Sequence, residues 1–144
     1  MDKVLFYEGR WYFFSNFSSF AIYWRGRWWA TVEHAYQAAK FSDTAIAEAI
    51  HQATSAHATK QIAKANIDKV RTDWHDIKLD VMEDLLRAKL TQHSYIRERL
   101  LATGDAKIVE DSPKDSFWGR GPNGRGLNHL GKLWMKLREE LRSA

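Results

Sequence analysis

Aromatic residues crowd into the first part of the chain. Of its 19 Phe, Trp and Tyr residues, 14 lie within the first 41 of 144 positions. Side chains this bulky need a large apolar neighbourhood or a flat ligand, so the segment must build a dense core or a stacking surface. Within it the runs VLFY and FAIYW are β-prone, and Gly26 in WRGRWW suits a reversing turn. We therefore expect a small N-terminal β-hairpin.

Helix-forming residues dominate the rest of the chain. Four segments begin near an Asp or Ser that can cap a helix, namely residues 43–53, 55–67, 73–90 and 93–104. In the third, apolar residues recur at steps of three and four, which predicts one buried stripe. These residues are Trp74, Ile77, Val81, Leu85 and Ala88. A last helix has Leu130, Trp134, Leu137 and Leu141 on its apolar face. The sequence predicts a mainly α fold, with one compact domain over residues 1–144.

Composition limits the classes of protein to consider. Lys and Arg outnumber Asp and Glu by 22 to 18, and the resulting net charge of +4 favours anionic partners such as phosphate-bearing molecules. The absence of cysteine excludes disulfide frameworks, thiolate metal sites and Cys nucleophiles. No apolar run reaches the length of a membrane span, and the first residues lack a signal-peptide pattern. We therefore expect a cytoplasmic protein with no membrane partner.

The segment WATVEHAYQAAKF, residues 29–41, combines alanines with an unusual set of polar residues. If Thr31 caps a helix, the rotation of about 100° per residue places four polar side chains in one arc. They are Glu33, Tyr36, Gln37 and Lys40. Such an arc is usually a solvated stripe. The alternative is a carboxylate and an amine that face an aromatic-walled cleft, where their pKa values are perturbed as catalysis requires.

Glycines concentrate near the C-terminus. Five of the eight lie between residues 119 and 131, just before the last predicted helix. A glycine-dense loop that runs into a helix start exposes backbone N–H groups to a phosphate, although an ordinary flexible turn is the simpler interpretation. GRGPNG matches the dinucleotide pattern G-x-G-x-x-G, but Pro122 interrupts it and no βαβ unit surrounds it. We expect an anion site and no dinucleotide cofactor here.

Metal and serine-nucleophile chemistry find no support in the sequence. No two of the six histidines are four residues apart, and no G-x-S-x-G pattern occurs. We therefore expect neither a metal nor any other cofactor. Asp115 lies near Phe117 and Trp118, and it is either a turn cap or a second carboxylate at a substrate cleft.

Five segments, taken in order, resemble the YbiA-like family of N-glycosidases, also called NADAR domains. They are FFSNFSSF, RGRWWATVEHAYQAAKF, DWHDIKLDVMEDLLRAKL, LLATGDAKIVEDSPKDSFWGRG and GRGLNHLGKLWMKLREEL. The resemblance covers nearly the whole chain, and its departures, at Phe14, Leu90 and Trp134, touch no polar motif position. It implies a compact, mainly helical fold with a minor β element. It also implies cleavage of the C–N bond between ribose and a base-like group.

The resemblance and the chemistry of this cleavage together suggest roles for individual residues. Positive charge develops on the ribose ring as the bond breaks, so Glu33 is expected to stabilise that charge or to activate water. Lys40 is expected to act as an acid or, if desolvated, as an amine nucleophile that forms an imine with the opened sugar. Asp115 is the third catalytic candidate.

Ten further residues are expected to contact the substrate. They are Asn16, Phe17, Tyr36, Gln37, Trp118, Gly119, Arg120, Gly121, Gly126 and Asn128. Among them Asn16 and Asn128, together with Asp115, are expected to hold ribose hydroxyls. Trp118 is expected to form a stacking wall, and the glycines are expected to lie near the phosphate.

The substrate class is left open by the resemblance. Members of the family act on phosphoribosyl-aminopyrimidine intermediates of riboflavin biosynthesis or remove ADP-ribose from guanine bases. We expect the small phosphoribosyl metabolite, with an ADP-ribosyl substrate, including one carried on a nucleic-acid base, as the alternative. A non-catalytic module that stacks single-stranded nucleic acid and a structural helical adaptor are the rival classes. The sequence does not predict an oligomeric state.

Overall fold

A computed structural model describes residues 2–144 of the chain. They fold into two compact units, a central unit (Asn16–Gln92) and a terminal unit (residues 2–15 with 93–144). Strands occur as two short pairs, and helices make up most of the rest. The predicted mainly α fold is confirmed, whereas one domain over residues 1–144 stays a prediction. Within residues 2–144 no helix combines the length and the apolar character needed to cross a membrane.

The elements follow one another along the chain with short connections. They are β1 (Lys3–Phe6), a 3-10 helix (Gly9–Phe14), β2 (Ile22–Trp24), β3 (Arg27–Trp29), α1 (Val32–Ala39), α2 (Thr44–His51), α3 (Ala56–Ala65), a second 3-10 helix (Ile67–Lys69), α4 (Trp74–Gln92), α5 (Ser94–Ala102), β4 (Lys107–Glu110) and α6 (His129–Ser143). The helices predicted from the sequence are all present, and their bounds differ from the predicted ones by a few residues.

The predicted hairpin is formed by β2 and β3 at the start of the central unit. The two strands are antiparallel, with Ile22 paired to Trp29. Arg25 and Gly26 form the turn with φ angles of 49° and 84°, the left-handed conformation that a two-residue hairpin turn needs. Gly26 adopts this conformation without steric cost, which explains its position in WRGRWW.

Side-chain caps start three helices of the central unit where the sequence predicts them. Thr31 accepts a backbone N–H at the start of α1. Asp43 accepts two at the start of α2, and Ser55 accepts one at the start of α3. Each cap supplies an oxygen to N–H groups that lack a partner inside the helix, an interaction typically worth about 1 kcal/mol.

Helix α4 packs its apolar stripe into the central unit and carries one lysine with it. Trp74, Val81 and Leu85 are buried, as the predicted stripe requires. Lys89 lies on the same buried side with no exposed surface. Its Nζ donates to Oγ of Ser18 at 3.0 Å. Burial lowers the pKa of Lys89 to about 7.

The terminal unit is closed by a parallel strand pair that the sequence did not predict. Strand β1 pairs with β4, and Val4 lies opposite Ile108 in the register. The segment VLFY was predicted to be β-prone, but no partner strand was predicted for it. Strand β4 is only four residues long, and its partner lies about a hundred positions earlier in the chain, so local patterns do not reveal the pairing.

Aromatic side chains fill the core of the terminal unit. Phe14, at the end of the first 3-10 helix, has its ring centroid 6.0 Å from Phe6 and 5.2 Å from Trp134 of α6. The Trp134 indole N–H donates to the Phe14 carbonyl at 3.1 Å, so its polar atom is also satisfied. Much of the aromatic crowding therefore builds a dense core, which is one of the two alternatives that the sequence allows.

Replacing Lys89 by methionine is expected to remove a pH dependence from the stability of the protein. Because the pKa of Lys89 falls from 10.5 in the unfolded chain to about 7 in the fold, the unfolded state binds more protons between these values. The free energy of unfolding therefore carries no cost for deprotonating Lys89 above pH 10.5. The cost grows as the pH falls from 10.5 towards 7 and is complete below 7. The wild type should gain up to about 1.4 kcal/mol per pH unit over this interval relative to Lys89→Met.

Urea unfolding of both proteins between pH 6.5 and 9.5 measures this difference. The matched control is Lys64→Met on α3, where the ammonium group is exposed in the fold and in the unfolded chain alike. A stability difference between wild type and Lys89→Met that stays constant across the pH range would contradict the lowered pKa of Lys89.

Candidate active site

Helix α1 begins at a cap that also holds the preceding loop. Oγ1 of Thr31 accepts the N–H of His34 at 3.1 Å, as predicted. The carbonyl oxygen of Asn16 accepts the N–H of Glu33, also at 3.1 Å. Two of the N–H groups in the first turn are thus bonded by the chain itself. These bonds place Asn16 beside the turn that carries Glu33.

The polar side of α1 is buried. Glu33 and Tyr36 are each 6 % exposed, and Gln37 is 4 % exposed. The solvated-stripe interpretation of this arc is therefore wrong. A buried carboxylate is costly unless hydrogen bonds and favourable charge surround it. Nε2 of Gln37 donates to Oε2 of Glu33 at 2.7 Å, and the helix N-terminus adds positive potential.

Two buried acceptors beside Glu33 have no hydrogen-bond partner within residues 2–144. They are Oε1 of Gln37 and Oδ1 of Asn16, which is 7 % exposed. The nitrogen atoms of both amides are engaged, since Gln37 donates to Glu33 and Asn16 donates to Sδ of Met82 at 3.4 Å. A buried acceptor without a donor costs roughly 1–3 kcal/mol. The pair therefore marks a place where hydroxyl or amine donors of a ligand fit.

Lys40 follows the last residue of α1 and lies over an aromatic ring. Its Nζ is 5.3 Å from the centroid of the Tyr36 ring, which itself packs at 5.2 Å from Trp74. Burial lowers the pKa of Lys40, the Glu33 carboxylate partly raises it, and the charges of Lys60 and Lys78 lower it again. Lys40 is thus a partly desolvated amine close to the carboxylate, as the alternative to a solvated stripe requires.

Phe17 forms an aromatic wall beside Asn16. Its ring centroid is 4.9 Å from that of His57, and Nζ of Lys60 is 5.8 Å from the same ring. His57 and Lys60 are three residues apart on α3 and therefore lie on one side of that helix. The wall thus has basic groups at its edge.

The glycine-rich segment bonds several of its backbone N–H groups internally. Five backbone N–H groups each donate to a backbone carbonyl of the terminal unit, with N···O distances of 2.7–3.1 Å. The pairs are Arg120 to Glu110, Gly126 to Arg120, Asn128 to Gly119, His129 to Phe117 and Leu130 to Trp118. The N–H groups of Arg120, Gly126 and Asn128 therefore bond to the chain itself, and binding of a phosphate elsewhere in the segment stays a prediction. The last two pairs also satisfy the first turn of α6.

Close packing explains the glycines in this segment. A Cβ atom on Gly126 would lie 2.5 Å from the carbonyl oxygen of Gly119, and one on Gly119 would lie 2.8 Å from that of Glu110. Gly121 has φ +68° and passes close to Ser116. Glycine is therefore required for the chain to cross itself. Contacts between Gly119, Gly121 or Gly126 and substrate phosphate stay predictions.

Asp115 caps a turn in front of the glycine-rich segment. Its Oδ1 accepts the N–H groups of Phe117 at 2.9 Å and of Trp118 at 2.8 Å. Trp118 packs its ring at 4.8 Å from Phe117. Arg120 donates to Oδ1 of Asp111 at 2.5 Å and lines a cleft of about 380 Å³ in the terminal unit. The turn-cap interpretation describes these bonds, and a catalytic role of Asp115 stays a prediction.

Asn128 joins the glycine-rich segment to strand β4. Its Oδ1 accepts the N–H of Glu110 at 2.9 Å, and its Nδ2 donates to the carbonyl of Ile108 at 3.0 Å. The residue has the left-handed φ of 54°, which asparagine tolerates better than most residues. Both ends of the amide therefore bond to the backbone of β4. A contact with a ribose hydroxyl stays a prediction.

The thirteen residues predicted for the site divide between the two units. In the central unit the structure brings together Asn16, Phe17, Glu33, Tyr36, Gln37 and Lys40 around α1. In the terminal unit it groups Asp115, Trp118, Gly119, Arg120, Gly121, Gly126 and Asn128 along one segment. No three His, Asp or Glu side chains within residues 2–144 form a cluster that could hold a metal ion.

Sequence reasoning missed Lys60 and Lys78, whose charges act on Lys40. Lys78 lies one helical turn after Trp74, and Lys60 lies three residues after His57. The four-residue spacing between Trp74 and Lys78 was the available signal for Lys78. It was not decisive, because spacing alone does not show which element packs on that face of the helix.

Comparison with known proteins identifies the family. The NADAR domain family model matches residues 5–142. The chain belongs to the NADAR domain family. It is 46 % identical over 133 residues to an N-glycosidase of Nostoc punctiforme, which covers 90 % of this chain and 85 % of that protein. It is 41 % identical over 128 residues to the N-glycosidase YbiA of Escherichia coli, which covers 89 % and 80 %.

Structure comparison agrees with this NADAR assignment. The NMR structure of E. coli YbiA superposes with a TM-score of 0.90 at 38 % identity and covers 98 % of this chain and 85 % of that one. A riboflavin biosynthesis protein of Vibrio vulnificus is 40 % identical over 129 residues, which are 90 % of this chain and 35 % of that protein. The predicted family and the predicted enzyme class, an N-glycosidase, are confirmed.

Replacing Gly126 by alanine in this NADAR domain is expected to destabilise the fold by about 3 kcal/mol, because the new Cβ would meet the Gly119 carbonyl oxygen. Gly124→Ala is the matched control, since its Cβ would have nothing within 4 Å and only the φ of +74° is unfavourable. That strain costs about 1 kcal/mol. Urea unfolding measures both losses, and equal losses would contradict the packing explanation.

Proposed function

We propose that this NADAR-domain N-glycosidase cleaves the C–N bond between a phosphoribosyl group and an aminopyrimidine, as found in early intermediates of riboflavin biosynthesis. One relative, whose alignment spans 90 % of this chain, is named a riboflavin biosynthesis protein. The Glu33 cluster, which consists of Glu33, Asn16, Gln37 and Lys40, supplies chemical groups that suit such a cleavage. A cytoplasmic location fits this role and is part of the proposal.

The observation that carries the proposal is a buried carboxylate beside two unused buried acceptors. Gln37 is bonded to the Glu33 side chain, and Asn16 is bonded to the Glu33 backbone. A ribose ring carries hydroxyl donors next to its anomeric carbon. Hydroxyl groups that donate to Oδ1 of Asn16 and Oε1 of Gln37 would satisfy both acceptors and bring that carbon close to Glu33.

Glu33 is assigned the main catalytic role in this proposal. The ribose ring gains positive charge as its bond to the base breaks, and a carboxylate in a water-poor site stabilises that charge strongly. Because Gln37 holds Oε2 in place, the carboxylate does not need to reorient during the reaction. The same group can also accept a proton from the attacking water.

Lys40 is assigned to the departing base or to the opened sugar. A charged ammonium group would oppose the positive charge on the ribose ring, and burial reduces this conflict because it lowers the pKa of Lys40. In its protonated form Lys40 can give a proton to the leaving base. In its neutral form the amine can condense with the aldehyde of the opened sugar and release water.

The terminal unit supplies further candidates. Trp118 is proposed as an aromatic contact and Arg120 as a cationic contact for substrate, because neither side chain is fully buried. Asp115 is kept as a candidate that offers its second carboxylate oxygen. The glycines stay candidates for a contact with the substrate phosphate, although several N–H groups of their segment bond to carbonyls of the chain.

ADP-ribosylated guanine is the second candidate substrate. It has the same kind of anomeric C–N bond and also carries phosphate, so the groups around Glu33 suit it equally. The observation that favours it is an exposed aromatic pair on the hairpin, Tyr23 and Trp28, whose ring centroids are 5.6 Å apart. Exposed rings of this kind stack nucleobases. Nucleic-acid binding without catalysis would leave the Glu33 cluster without a function.

Release of free base tests the proposed function. Purified protein is incubated separately with a phosphoribosyl-aminopyrimidine and with an ADP-ribosylated guanine nucleotide, and mass spectrometry follows the free base. We expect release from the first substrate. Glu33→Gln should lower the turnover rate by about 10²- to 10⁴-fold, because it removes the charge and keeps the shape. The matched control is Glu48→Gln, which alters a half-exposed glutamate on α2 that pairs with Arg27 and should leave turnover unchanged.

Two results would contradict this proposal. The absence of base release from both substrates would exclude the proposed function. Wild-type turnover in Glu33→Gln would exclude the role of Glu33.

Replacing Asn16 by leucine is expected to separate substrate binding from stability. The change removes a buried acceptor that has no donor, so the free energy of unfolding should stay within about 1 kcal/mol of wild type. The KM for substrate should rise about tenfold or more, because a ribose hydroxyl loses its acceptor. Thermal unfolding and steady-state kinetics measure the two effects.

Asn66→Leu serves as the control for Asn16→Leu. The Asn66 amide donates to the carbonyl of Ile62 at the end of α3, so its loss should lower stability and leave KM unchanged. Both variants losing stability with unchanged KM would show that Oδ1 of Asn16 serves folding instead of substrate binding.

A further inference from the structure

The side-chain amide of Asn16 has its two ends in different surroundings. Nδ2 donates to Sδ of Met82 at 3.4 Å, whereas Oδ1 is buried and has no hydrogen-bond partner among residues 2–144. The backbone of Asn16 is held separately, because its carbonyl accepts the N–H of Glu33 at 3.1 Å. Rotation of the amide about its last single bond would exchange the two ends. The group that contacts Nδ2 therefore decides whether a ligand meets an acceptor or a donor.

Helix α4 supplies this group from a buried position. Met82 lies within α4 and is 1 % exposed. Lys89 is seven residues later, about two turns along the same side of the helix, and it donates to Oγ of Ser18 at 3.0 Å. The loop from Asn16 to Ser18 is therefore bonded to α4 at two points. The Lys89 bond holds the loop, and the Met82 bond holds the amide.

The thioether sulfur favours one orientation of the Asn16 amide. A methionine sulfur accepts hydrogen bonds weakly and has no hydrogen to donate. An amide turned by 180° would place Oδ1 against the sulfur and lose the bond that Nδ2 makes. Gln37 is oriented by the same rule, since its Nε2 donates to the Glu33 carboxylate. Each amide thus keeps its oxygen, Oδ1 of Asn16 and Oε1 of Gln37, as the end without a partner.

We infer that Met82 is a positioning residue, which fixes the Asn16 amide as an acceptor and so makes the site select ligand groups that donate. Hydroxyl and amine groups satisfy a buried acceptor, whereas a group that only accepts, such as fluorine, leaves it unsatisfied. Met82 acts through Asn16. That the donor is a ribose hydroxyl rests on the proposed function, whereas the orientation of the amide does not.

Binding of three sugar phosphates by isothermal titration calorimetry tests this selectivity without turnover. They are ribose 5-phosphate and its two analogues with fluorine in place of the 2- or the 3-hydroxyl. The wild type should bind ribose 5-phosphate about tenfold or more tightly than at least one analogue, because Oδ1 stays unsatisfied there. In Met82→Leu the amide can turn its N–H groups towards the fluorine, so this preference should fall to about threefold or less.

Two comparisons separate orientation from packing. Met135→Leu makes the same substitution in the terminal unit, where Sδ of Met135 accepts the N–H of Ile108 at 3.5 Å, and should keep the wild-type preference. Leucine and methionine have similar volumes, so both variants should stay folded, and urea unfolding checks this. Asn16→Leu removes the amide itself. Adding Met82→Leu to it should therefore change the preference no further.

NMR measures the orientation of the amide in the wild type without any ligand. We expect a strong nuclear Overhauser effect between the side-chain amide protons of Asn16 and the methyl group of Met82. An amide in the opposite orientation carries these protons on the end that faces away from the sulfur. A weak or missing effect would therefore overturn the inference.

The binding data can also overturn it. Equal binding of the three compounds to the wild type, or binding of none, would exclude a donor-selective acceptor. A preference that survives in Met82→Leu would show that Met82 serves packing alone. If base is released in that case, the proposed function stands and the inference is wrong. If no substrate releases base but the preference depends on Met82, the function is wrong and the inference stands.

Discussion

The burial of one carboxylate, Glu33 in the first turn of α1, is the constraint on which the site depends. A charged carboxylate leaves water only where other groups compensate it. Here the positive end of a helix, the amide of Gln37 and the nearby amine of Lys40 share that task. The cap at Thr31 matters for the same reason, because it fixes where the helix starts and therefore which side Glu33 occupies.

The loop before the hairpin links this site to the core of the central unit. Asn16 bonds to α1 through its backbone, and Ser18, two residues later, receives a hydrogen bond from the buried Lys89 of α4. The loop is therefore held from two helices at once. Lys40 and Lys89 show how burial separates two residues of one type, since Lys89 is wholly enclosed and anchors the loop while Lys40 keeps part of its surface open.

Local features were predictable from the sequence, and partners across the fold were not. The Thr31 cap, the hairpin turn at Gly26 and the polar arc of α1 follow from residue type and spacing over a few positions. Burial of that arc depends on elements that pack on α1 from later in the chain, such as Trp74 against Tyr36, so periodicity left the solvated stripe open. The glycine-rich segment shows the opposite error. Its composition predicted exposed N–H groups, whereas carbonyls of the surrounding chain bond to several of them.

The parallel pairing of β1 with β4 has a consequence for how the chain acquires its structure. The central unit is one continuous stretch, so its helices can pack as soon as that stretch is synthesised. The terminal unit instead joins the earliest residues to a strand roughly a hundred positions later and to the helix after it. Its loop-closure entropy is correspondingly larger. During translation the first strand must therefore wait without its hydrogen-bonding neighbour until β4, roughly a hundred positions later, has left the ribosome.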